Sequence, residues 1–67
     1  MSDGTIRKDI AIGSYVAVVQ KQHQRTGELT EGHVKRLLTS APKHHRGIKV
    51  MLEDGTVGRV KEILGEE

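Results

Sequence analysis

The sequence predicts a small all-β domain, and three observations carry that prediction. Apolar residues alternate with polar ones at period two in "IKVMLE", and "YVAVV" is a valine-rich run of the same kind; this is how side chains space themselves on strands. Asp54-Gly55 stands between the first of these runs and "TVGRV". It is the strongest short hairpin signal in the chain, because a tight primed turn needs positive φ angles that Asn, Asp and Gly tolerate. Finally, Tyr15 is the single aromatic residue, so the core must come from Val, Ile and Leu, of which the β-branched members suit strands.

Residues 1–9 are polar with a glycine at position 4 and read as a disordered tail ahead of one domain over 10–64. Gly13-Ser14 signals a turn. Strand one follows at about 15–20, with Val16 and Val18 facing one way and Tyr15, Ala17 and Val19 the other. "KQHQRTGE" has no apolar residue, which makes 21–28 a polar loop. "LTEGHVKRLL" reads two ways. Val34, Leu37, Leu38 and Ala41 fall at i, i+3, i+4 and i+7, a helical stripe that supports a helix over 31–40. Gly32 would sit in its first turn, and Pro42 pushes Ala41 toward extended geometry, which favours a strand over 29–38 with a bulge at Gly32. The strand is the preferred reading.

A second polar loop spans 39–47. Ile48, Val50 and Leu52 then point inward from strand three, and the hairpin leads to strand four. In "VKEIL", Val60, Ile63 and Leu64 are spaced i, i+3 and i+4, which predicts one helical turn near the C-terminus before an acidic end at 65–67. Four to five short strands cover their apolar face best by curling into a barrel, which removes open sheet edges. An SH3-like barrel is the expected form. In it the loops 21–28 and 39–47 are expected side by side, with the tight hairpin at the other end. Val16, Val18, Val34, Ile48, Val50, Leu52 and Val60 are the expected core.

Sixty-seven residues bury only about 60% of the surface that the unfolded chain exposes, so a large enclosed active site is not expected. The absence of cysteine excludes disulfide frameworks and thiolate zinc sites and fits a reducing, cytoplasmic setting. No segment approaches the roughly 20 apolar residues of a membrane helix. The net charge is +2, but its distribution is uneven. Residues 21–49 carry seven Lys or Arg against Glu28 and Glu31, and all four histidines, whereas 50–67 carry two cationic against five acidic residues. The middle of the chain is the expected surface for an anionic partner.

Gln24-Arg25-Thr26-Gly27, Gly32-x-Val34, Gly47-Ile48-Lys49-Val50 and Gly55-x-Val57-Gly58-Arg59-Val60 resemble the YwbE family of small bacterial proteins over about 13–64. That likeness implies no activity. Val16, Val18, Gly27, Gly32 and Val34 are also similar to the skeleton of the KOW motif, which implies an RNA-contacting piece of an SH3-like barrel.

Zinc needs three or four converging ligands; His23, His33, His44 and His45 offer no diagnostic spacing, and loop histidines in solvent are the plainer reading. Ser40, Thr39, His44, His45 and Asp54 form no recognisable nucleophile and base, so no enzyme and no cofactor are expected. Phosphate binding asks only for clustered cations with glycines that let backbone N–H groups approach. Lys21, Arg25, Lys43, His44, Arg46 and Lys49 meet that description, with Arg25 and Arg46 able to grip two oxygens each. With one tyrosine for stacking, structured RNA or a ribonucleoprotein is the expected partner, read by backbone and shape. The alternative is a protein-interaction module that receives an acidic or extended peptide.

Overall fold

A computed structural model describes residues 4–65. Strands β1 (Tyr15–Val19), β2 (Leu29–Leu37), β3 (Lys49–Leu52) and β4 (Val57–Gly65) close into one antiparallel barrel in chain order, β4 returning to β1. Single 3-10 turns occupy Arg7–Asp9 and Lys21–His23. The all-β barrel is therefore as expected, and 31–40 carries a strand and no helix. All seven expected core residues are buried, and Ile10 joins them. Ala17 and Val19 are buried as well, so β1 is covered on both faces and not on one.

Two departures from expectation concern β-bulges. Along β4, Val60 pairs with Val18 and Ile63 with Val16, so three steps on β4 match two on β1. Lys61 is the extra residue, and the i, i+3 spacing of "VKEIL" comes from this bulge in a strand, not from a helical turn. On β2, Val34 pairs with Leu52 and Leu37 with Val50. Lys35 is extra there, so the bulge lies between Val34 and Arg36, and Gly32 pairs in regular register with Val16. Gly32 is small for a different reason: a Cβ on it would stand 2.9 Å from Leu52 Cδ1.

The β3–β4 connection is also longer than a primed two-residue turn. Leu52 N–H donates to the Thr56 carbonyl at 2.7 Å and Gly55 N–H to the Leu52 carbonyl at 2.9 Å. Only the glycine has a positive φ, +93°, the pattern of a three-residue loop closed by a left-handed glycine.

The expected disordered tail is corrected from Gly4 onward. Ile48 N–H donates to the Gly4 carbonyl at 2.8 Å, His44 N–H to the Thr5 carbonyl at 2.9 Å, and Arg7 N–H to the Pro42 carbonyl at 2.8 Å. Backbone groups of the 39–48 loop need partners, and the N-terminal segment supplies them. Residues 1–3 and 66–67 lie outside the described residues.

Candidate nucleic-acid interface

Consecutive antiparallel strands alternate direction, so the β1–β2 and β3–β4 connections leave the barrel at the same end. The hairpin is accordingly beside the 21–28 loop, contrary to the expectation that it sits opposite. The stagger of the closed sheet then carries the start of β3 to that end: Val19 pairs with Arg59, and Arg59 with Lys49. One row of three residues thus links the end of β1 to the end of the second loop.

Two adjoining depressions flank this row. The first, about 610 Å³, is lined by Lys21, Arg46, Lys49 and Arg59 together with Gln20, Gln22, Gln24 and the hairpin residues 55–58. The second, about 560 Å³, is lined by Gly27, Leu29 and Lys61 besides Val19, Gln24, Arg46 and Arg59, which both share. Among the described residues, five cationic side chains and no carboxylate therefore line this surface.

Local structure fixes several of these groups. Arg59 Nη1 donates to the Gly47 carbonyl at 3.1 Å, and Lys61 Nζ to the Arg46 carbonyl at 3.2 Å. Gln20 Nε2 donates to Thr30 Oγ1 at 3.0 Å and its Oε1 accepts from Gln22 at 3.2 Å, which braces the start of the first loop.

Of the expected site residues, Lys21, Arg46 and Lys49 come together here. Arg25 is exposed but lines neither depression. Lys43 faces elsewhere, into an apolar groove of about 600 Å³ with Ile6, Arg7, Lys8, Ser40 and Pro42. His44 stacks on His45 at 5.1 Å between ring centroids, and its Nδ1 accepts from the Arg46 N–H at 3.1 Å. Partial desolvation and the charge of Arg59, then of His45 and Arg46, hold its pKa below the ordinary histidine value. Arg59 and Lys61 were absent from the expected set. Both lie in the acidic C-terminal half, where a charge count along the chain hides them; the i, i+2 relation that places them beside each other became visible only with the β4 register.

His23 Nε2 is 3.9 Å from Glu28 Oε1. Among the described residues, no three His, Asp or Glu side chains converge as a metal site would require, and no helix is long and apolar enough to cross a membrane.

Comparison with known proteins places the chain in a sequence family. It is 47% identical over 62 residues to "Uncharacterized protein YwbE" of Bacillus subtilis (strain 168), an alignment covering 92% of this chain and 95% of that protein. No solved structure matches it. Residues 3–63 match the family described as "Uncharacterized conserved protein (DUF2196)", and the chain belongs to that family.

Proposed function

We propose that this protein is a non-catalytic, cytoplasmic binding module that grips structured RNA, alone or within a ribonucleoprotein, through the cationic surface around Val19. The supporting observation is the set of Lys21, Arg46, Lys49, Arg59 and Lys61 around two joined depressions that no carboxylate lines among the described residues. Clustered cations release condensed counterions from a phosphate backbone, and that release supplies most sequence-independent affinity. An RNA hairpin titrated at several salt concentrations tests it. A log–log slope of about −3 to −5 is expected, at ~0.9 per phosphate neutralised. Arg46→Ala lowers that slope by about 1 and weakens binding equally across sequences, whereas Arg25→Ala leaves the slope unchanged. A flat salt dependence, or no binding at ~50 mM salt, overturns the proposal.

A second reading, contact with a protein, is favoured by the separate groove at Ile6 and Pro42. Apolar walls edged by Arg7, Lys8 and Lys43 suit an acidic peptide with an apolar anchor. There Lys43→Glu abolishes protein capture from nuclease-treated lysate and spares RNA binding.

A further inference from the structure

The two depressions differ in chemistry, although they share Val19, Gln24, Arg46 and Arg59. The larger is lined mostly by cations, amides and the hairpin residues 55–58. The smaller has an apolar wall, because Leu29 opens β2 beside Val19 and is left 45% exposed among Arg46, Arg59 and Lys61. A phosphate gains nothing from a leucine. A nucleobase does, since its faces are apolar and its edges take hydrogen bonds, and guanidinium groups stack on base planes.

We infer that the smaller depression is a subsite for one extruded nucleobase, with the flanking phosphates held in the larger one. The ligand is then an RNA helix interrupted by an unpaired nucleotide, and this inference rests on the RNA reading above. A base inside a continuous duplex is paired and stacked, so neither of its faces is available. An unpaired nucleotide leaves the stack at least cost. Leu29 and Val19 cover one face of that base, the guanidinium of Arg46 or Arg59 the other, and the Gln24 amide meets its edge. A side-chain surface with Leu29 in place of an aromatic platform accounts for how one base is held by a protein with a single tyrosine, which pairs instead with Glu31 at 2.8 Å.

The test uses three RNA hairpins of equal length: one with a fully paired stem, one with a single bulged adenosine, and one with an abasic residue at the bulge. Each is titrated by fluorescence anisotropy at ~100 mM salt, an ionic strength at which exposed charges are substantially screened. The bulged adenosine is expected to bind about 5- to 10-fold tighter than either control, the lower part of the range for base stacking. Leu29→Ala reduces that ratio to about 1 and leaves affinity for the paired hairpin unchanged. Equal affinity of the wild type for all three, with a steep salt slope, overturns the base subsite while the RNA reading stands. Equal preference for the abasic and adenosine bulges also overturns it, because the backbone then carries the preference, and so does a Leu29→Ala variant that weakens all three alike. Failure of every hairpin to bind removes both proposals.

Discussion

Val60 shows how tightly single residues are constrained. It is fully buried, and glycines 4 and 47, from the N-terminal segment and the second loop, both approach it. A Cβ on Gly4 would collide with the Val60 side chain, and one on Gly47 with the Val60 carbonyl oxygen; both glycines also have positive φ, +83° and +104°. Gly27 provides the internal comparison, with φ +78° and nothing near its missing Cβ. Gly27→Ala is expected to cost about 1 to 2 kcal/mol from left-handed backbone alone. Gly47→Ala adds a backbone collision that no rotamer relieves and is expected to cost about 3 kcal/mol or more. Urea unfolding midpoints of the two variants check the difference. His44 gives a pH prediction at the same scale. Its folded pKa lies below the ordinary 6.5, so on acidification the unfolded chain takes up the proton first. Stability is therefore expected to fall as the pH drops below about 6.5, and protonation also removes the Nδ1 acceptor that the Arg46 N–H uses. A His44→Gln variant, compared with wild type at pH 7.5 and 5.5, is expected to show a smaller loss. An equal loss in both assigns the dependence elsewhere.

At the scale of elements, all four strands were legible, but the bulges were not: that of β2 was expected at Gly32, and that of β4 was read as a helical turn. β1 and β3 lie where valine-rich and alternating runs put them, because a side-chain period of two survives only in regular pairing. In β2 and β4 an inserted residue converts i, i+2 into i, i+3, and Val34/Leu37 and Val60/Ile63 then mimic a helix. Single-sequence periodicity does not separate a bulged strand from a helical turn when the apolar run is short. The hairpin was legible in position but not in type: Asp54 keeps a negative φ, and its Oδ1 instead accepts from the Thr56 N–H at 2.9 Å. The candidate site was half legible. Lys21, Arg46 and Lys49 were found from local charge density, while Arg59 and Lys61 depend on strand register, and Lys43 is turned away by the bridge between Ile6 and Lys43. The β4 bulge makes its own prediction. Deleting Lys61 restores period two, so Val60 and Ile63 stay on one face opposite Val18 and Val16. The deletion is therefore expected to leave the melting temperature close to that of Lys61→Ala, whereas deleting Lys61 and Glu62 together makes Val60 and Ile63 neighbours on opposite faces and is expected to lower it far more. Paired circular dichroism melts measure that contrast.

For the whole molecule, barrel closure and the N-terminal segment act together. A chain of 67 residues has only about 3 to 10 kcal/mol of stability at ~0.05 to 0.15 kcal/mol per residue. The three backbone hydrogen bonds that join Gly4, Thr5 and Arg7 to Ile48, His44 and Pro42 are worth about 1 kcal/mol each, a large share of that total. They also hold the loop whose far end carries Arg46 into the cationic surface, so the segment couples stability to the proposed binding. Removing residues 1–9 is expected to lower the melting temperature by about 12 to 24 °C, at ~4 to 8 °C per kcal/mol for a domain of this size. In the fraction that remains folded at low temperature, RNA affinity is expected to fall and the salt slope to lose about one phosphate, because Arg46 is no longer fixed beside Arg59. An unchanged melting temperature would mean that the segment merely lies on the barrel. A lowered melting temperature with the salt slope intact would uncouple the clamp from the cationic surface, leaving the Val19–Arg59–Lys49 row to position the cations by itself.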